Sequence, residues 1–252
     1  GNAGVGAFEP VISGVDHRND EEYINQLILA AGGAPGLYDH DGWMTYTIPV
    51  SAGIINADSI EIDEGKYPIL IRRHEFETDT AGPGEWRGAP GARTVYEPRE
   101  NPVSFTYYGD GGTFPPAGIR GGGEGSPDRV WKETPDGRED LPTLTLDDAI
   151  EIRPGETLAT INPGGGGYGD PLDRDPDRVR ADVEAGYVSV AGAREDYGVV
   201  IDASGDGVVV DEAATARLRA ERREARATDS DDDTGDDTSD HDDVPTDGGG
   251  RP

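Results

Sequence analysis

The chain has 252 residues, enough to bury a core of one large domain or two modest ones, and its 38 Gly and 19 Pro favour short β elements and frequent turns over a helical bundle. Asp and Glu number 52 against 22 Lys and Arg, a formal net charge of -30, which leaves no basic patch to bind nucleic acid or an anionic membrane surface. The absence of cysteine excludes disulfides, thiol nucleophiles and thiolate metal sites, and no apolar run approaches the ~20 residues of a membrane-spanning helix.

In chain order, residues 1–42 read as a Gly-rich, acidic lead-in with one short helix. That helix falls in "DEEYINQLILAAGG" (20–33), with Asp20 as cap, Tyr23, Leu27 and Ile28 on one side, and Gly32 as stop. Strands follow at 43–50, 58–62, 67–78, 92–98, 102–108, 128–133, 147–152 and 156–161, as short apolar or alternating runs between Gly, Pro and Asp. Residues 43–161 are therefore expected to form an antiparallel, sandwich- or barrel-like β unit, and the fold class is α+β, rich in β.

A Gly-rich crossing at 162–176 leads into a small helical region that runs to residue 227. Asp175 caps a helix with Pro176 in its first position, and Ser189 opens a second through Asp196. Two small strands flank the turn "ASGDG" (203–207), and Asp211 caps a last helix over 212–226. The acidic tail, 228–252, has no periodicity and is expected to be disordered.

The tail carries ten Asp and one Arg, so -21 of the charge remains on residues 1–227, where only Lys66 and Lys132 are lysine. An acidic body almost free of lysine fits a cytoplasm rich in salt, where the screening length is ~3 Å at about 1 M and like charges repel little.

Signals for chemistry are sparse. Gly164, Gly166 and Gly169 match the spacing of a dinucleotide loop, but the next helix starts only at Asp175 and no second strand with an acidic ribose ligand follows. Gly65-Lys66 is followed by Tyr67 rather than Ser or Thr, so no phosphate loop is present. Of His17, His40, His74 and His241, none is paired at metal-ligand spacing; Asp39-His40-Asp41 reads as a solvated turn before a chelator. Asp202, Ser204, Asp206 and Gly207 imitate the start of a calcium loop, but Ala213 stands in the twelfth position, which leaves a hairpin turn. Trp43, Trp86 and Trp131 read as core or interface anchors. No catalytic residue is assigned. One segment, Asn162, Gly164, Gly165, Gly166, Gly167 and Tyr168, could let a ligand or partner approach the backbone or form an anion nest, although a tight structural crossing is the favoured reading.

Taken together, "SIEIDEGKYPILI" (59–71), "GPGEWRGAPGARTVY" (82–96), "FPPAGIRGG" (114–122), "NPGGGGYGDP" (162–171) and "DPDRVRADVEAGYVSVAGAREDYGVVID" (175–202) resemble, in order, the hydantoinase B/oxoprolinase family. Residues 42–63 lean toward its acetone-carboxylase alpha-like branch. The resemblance implies the carboxyl-terminal portion of a longer B-type subunit, whose amino-terminal half carries the metal ligands and which pairs with an A-type, ATP-using subunit to open cyclic amides or carboxylate ketones. No cofactor is then expected in this chain, with ATP and a divalent metal bound elsewhere in the assembly. The competing reading is a non-catalytic β-rich scaffold that binds a partner.

Overall fold

A turn after residue 16, with Asp20 in the left-handed region (φ 59°), folds the first two strands into a hairpin where a helix was expected. The computed structural model describes residues 10–29, 32–44, 57–107, 111–143, 149–205 and 207–232. The elements begin with β1 (Val11–Asp16), β2 (Glu21–Gln26), α1 (Ile60–Lys66), β3 (Ile69–Phe76), β4 (Ala92–Pro98) and β5 (Val103–Thr106). They continue with β6 (Arg129–Thr134), β7 (Gly137–Leu141), β8 (Ile150–Ile152) and β9 (Thr157–Ile161). The carboxyl-terminal elements are α2 (Pro176–Glu184), α3 (Val190–Glu195), β10 (Ile201–Asp202), β11 (Val209–Val210) and α4 (Glu212–Asp232).

The described strands form antiparallel sheets. One has the order β2-β1-β5-β8, another β3-β4-β9-β6-β7, and β10 and β11 make a small pair. Alternation drives the packing: Ala92, Thr94, Tyr96 and Pro98 turn inward along β4, and Val103 and Phe105 do so along β5. Ile12 and Phe105 from one sheet share a core with Ile69, Tyr96, Val130 and Leu158 from the other, and the rings of Tyr96 and Phe105 meet at 5.5 Å. The β unit is thus a sandwich, and the α+β, β-rich class expected from the sequence holds. A second core of Val179, Val188, Ala193, Tyr197, Val199 and Ile201 serves the helical region.

Two elements differ from the sequence reading. The predicted helix at 20–33 is strand β2, because Tyr23, Asn25, Leu27 and Leu29 alternate inward with period two while Ile24 is 76 % exposed. Tyr23 and Leu27 satisfy both periods, and β1 supplies the pairing that decides between them. The predicted strand at 58–62 is helix α1: Ser59 caps it by accepting the Ile62 N–H, and the alternation of Ile60 and Ile62 had imitated a strand. Most of the strand expected at 43–50 lies outside the described residues. β1, which with β2 brings part of the expected lead-in at 1–42 into the sandwich, and β7, a charged edge strand, were not anticipated.

The helix caps behave as read. Asp175 accepts from the Asp177 N–H and Ser189 from the Gly192 N–H, and Pro176 opens α2. The imitation calcium loop is the β10–β11 hairpin, in which Ser204 N–H donates to Asp202. α4 runs to Asp232, six residues beyond the expected end, into the predicted tail; residues 233–252 lie outside the described set. Among the described residues no helix is long and apolar enough to cross a membrane.

Candidate functional site

The stretch at 162–169 cannot form a ladder strand with one neighbour, because it is bonded to three segments at once. Gly33 N–H donates to the Pro163 carbonyl at 2.8 Å and Gly36 N–H to the Gly166 carbonyl at 2.8 Å. Residues 82–89 enclose a second side, with Gly82 N–H donating to the Gly165 carbonyl (2.8 Å), Gly165 N–H to Ala89 (3.0 Å), and Trp86 and Tyr168 exchanging both bonds. On the third, Gly167 N–H donates to Gly123, Ile119 N–H to Gly167, and Gly169 N–H to Ile119. Extended backbones approach this closely only where no side chain intervenes. A Cβ on Gly165 would stand 2.0 Å from the Ala34 carbonyl oxygen, and one on Gly88 would stand 1.8 Å from that of Gly165.

The structure therefore brings Asn162, Gly164, Gly165, Gly166 and Gly167 together as buried backbone and leaves Tyr168 half-buried at the margin. Asn162 N–H is bonded to Ala92, and the N–H groups of Gly165, Gly167, Tyr168 and Gly169 donate to carbonyls of this chain. Most of the donors that an anion nest would present are thus engaged within the protein, and Gly164 N–H faces Ser126 Oγ at 3.4 Å. At the margin, Tyr38 meets the Tyr168 ring edge-on at 6.3 Å, and the Arg120 guanidinium lies 5.8 Å from its centroid.

A buried ion network fastens this bundle to the helical region, and sequence spacing did not reveal it. Arg174, its side chain 1 % exposed, donates to both carboxylate oxygens of Asp41 (2.7 and 2.8 Å), to Asp182 Oδ2 (2.8 Å) and to the Glu85 carbonyl (3.0 Å). The other oxygen of Asp182 accepts from Arg87 Nε at 2.8 Å, and the Arg87 guanidinium lies 5.1 Å from the Tyr187 ring. Two guanidinium groups thus meet two carboxylates, an arrangement in which every charge has a geometrically good partner. Burial alone would raise the Asp41 carboxyl, but hydrogen bonds and charge from Arg174 outweigh it and hold the group below its ordinary value. Burial likewise works against the Arg174 charge, and Asp41 with Asp182 more than restores it. α4 closes over this network: Arg219 donates to the Tyr197 and Arg174 carbonyls, Arg223 to Leu172 and Asp173, and Arg226 to Asp170.

Asp39 and His40 lie in an exposed turn, whereas Asp41 turns inward to Arg174. Among the described residues no three His, Asp or Glu gather as metal ligands. Trp131 is buried, Trp86 stacks under Arg178 at 4.5 Å, and Trp43 is exposed. The arrangement can hold backbones and charges rigidly.

The family model of hydantoinase B/oxoprolinase matches residues 3–171, which hold the sandwich and the glycine bundle, and the chain belongs to that family. It is 39 % identical over 215 residues to the beta subunit of the caprolactamase of Pseudomonas jessenii, covering 83 % of this chain and 36 % of the relative. It is 30 % identical over 220 residues to the B subunit of a putative D-/L-hydantoinase of a Pseudomonas strain, covering 86 % of this chain and 36 % of that relative. The crystal structure of the ATP-dependent caprolactamase from Pseudomonas jessenii superposes with a TM-score of 0.75 at 36 % identity, over 87 % of this chain and 38 % of that one. The chain thus spans about a third of the length of the proteins it matches.

Proposed function

We propose that this chain is the carboxyl-terminal part of a B-type subunit of an ATP-dependent enzyme that opens cyclic amides, of the hydantoinase or 5-oxoprolinase kind, or of a related ketone carboxylase. It acts with the amino-terminal half of that subunit and an A-type, ATP-using subunit, and is inactive alone. The observation that carries this is the agreement in sequence and fold with the beta subunit of a caprolactamase along most of this chain. Lys66 sits at the end of α1 and is followed by Tyr67, so it does not stand in a phosphate loop before a helix N-terminus. The described residues offer no cluster for a divalent metal. This reading places ATP and a divalent metal in the other parts of the assembly, and no chemical step is assigned to this chain.

What the chain contributes is a rigid frame. The run at 162–168 serves as a crossing that locks three segments, with the exposed margin at Tyr168 left for a partner. The Arg174 network keeps the helical region in register with it. An acidic, arginine-based surface suits a salt-rich cytoplasm, which is the setting we infer.

The test is co-expression of a tagged copy of this chain with the remaining B-type region and an A-type subunit from the same genome. The reading expects stoichiometric co-purification of the three. A chain that is recovered free under conditions where the other two associate would favour the scaffold reading instead.

A further inference from the structure

The end of β2 and the start of α1 border an open cleft of about 610 Å³ that the glycine bundle does not use. Asn25, Asp58, Ser59, Asp63, Lys66 and Tyr67 contribute to its lining. Asp58 is fixed by the chain itself: its Oδ2 accepts the Ile28 N–H at 2.7 Å, and its own N–H donates to the Ile28 carbonyl. Ser59 is committed to capping α1. Asp63 is different. It is only 4 % exposed, yet its Oδ2 has no hydrogen-bond partner. A carboxylate in that state is destabilised unless a donor or a positive charge is brought to it.

We propose that this cleft binds the guanidinium or alkylammonium head of an organic cation, with Asp63 as its buried counter-charge and Asp58 as the second carboxylate. The lining holds two carboxylates, two amides and a phenol against the single ammonium of Lys66, so acceptors and negative charge are in excess, and a guanidinium offers five N–H donors in one plane. A divalent metal is the poorer fit. Such ions draw about six or more oxygen ligands, whereas no three carboxylates or imidazoles gather among the described residues. The volume also falls within the ~300–1,000 Å³ of small-molecule sites and far exceeds one ion. Burial, and after it the neighbouring Asp58, pushes the Asp63 carboxyl up to about 6, and the Lys66 charge offsets this only in part. The inference does not depend on the subunit reading above.

The experiment titrates the full 252-residue chain at pH 7.5 with N-acetyl-arginine amide, n-butylammonium and the peptide Gly-Arg-Gly, by calorimetry and by amide chemical shifts. Saturable binding with shifts around Asp58 and Tyr67 is expected, weakened at least about tenfold in Asp63→Asn and unchanged in Glu139→Gln, a control on exposed β7 for general attraction to an acidic protein. Tighter binding of the peptide than of the amide would make a polypeptide side chain the natural source; equal binding would make it a free cation. Asp63→Asn removes a buried charge without changing shape, and its thermal midpoint verifies that it is folded. Absence of saturable binding, or equal binding by Asp63→Asn, overturns the proposal. Asp63-dependent binding of Mg²⁺ in preference to all three probes does so as well.

Discussion

Arg174→Met is the substitution that tests the ion network most sharply. It removes the hydrogen bonds to Asp41 at 2.7 and 2.8 Å, the one to Asp182 at 2.8 Å and the one to the Glu85 carbonyl at 3.0 Å. Three bonds to carboxylates at ~1.5–3 kcal/mol each would sum to more than is lost, because water can reach Asp41. Asp182 stays buried and retains only Arg87, so the loss should match that of breaking a buried pair on one side, about 3–5 kcal/mol. With a urea slope of ~2–3 kcal/mol per molar for a chain this size, the midpoint should fall by about 1–2 M. Arg174→Lys keeps the charge but not the fork and should lose less. The effect should persist at ~2 M potassium chloride, since the pair is shielded from salt. Its pH dependence has a fixed sign. Asp41 is held below its ordinary value of 3.8 in the folded state, so its contribution is complete above that value and fades as pH falls through the lowered one. The difference between wild type and Arg174→Met should therefore narrow at acid pH. A midpoint loss under about 0.3 M at pH 7, or a difference that widens on acidification, would refute the reasoning.

Gly165→Ala should cost at least about 3 kcal/mol, because its Cβ would stand 2.0 Å from a backbone oxygen, whereas Gly65→Ala in α1, where a Cβ meets open space, should stabilise by ~0.5–1 kcal/mol; equal midpoints for the pair would contradict the packing described. Stability should rise with potassium chloride between about 0.05 and 1 M, since the chain carries -30 and only two lysines, and a flat or falling urea midpoint would mean that its acidity is not a salt adaptation. Truncation after Ala227 keeps Arg219, Arg223 and Arg226 on their partners and should leave the thermal midpoint unchanged, while truncation after Asp211 should lower it by about 6–12 °C, the equivalent of ~3 kcal/mol for a chain this size. A clear loss in the longer variant would show that residues beyond Ala227 contribute to the fold.

Local signals carried the sequence reading wherever a cap, a proline or strict alternation left one option. Asp175, Pro176 and Ser189 placed α2 and α3, and the inward residues of β4 placed the sandwich. It failed where two periods coincide. Tyr23 and Leu27 suit a helix as well as a strand, and only pairing with β1 decides. At α1 the information was present, since Ser59 is a good cap, but Ile60 and Ile62 spoke for a strand. The glycine run was visible as composition, while its three-sided enclosure depends on residues 33–36, 82–89 and 119–123, which no local pattern connects. Arg174 and Asp41 are 133 positions apart, and in a chain with 52 acidic residues no spacing singles out the pair.

The most direct measurement of the central claim is ATP hydrolysis that depends on a cyclic amide. A reconstituted assembly of the A-type subunit, the amino-terminal B-type region and this chain would be supplied with caprolactam, hydantoin or 5-oxoproline, and with acetone for the carboxylase branch. ADP release should require one of these substrates, should vanish when this chain is omitted, and should be absent from the purified chain alone. Turnover by the chain alone, or undiminished turnover by the assembly without it, would contradict its assignment as an essential, non-autonomous part of a B-type subunit.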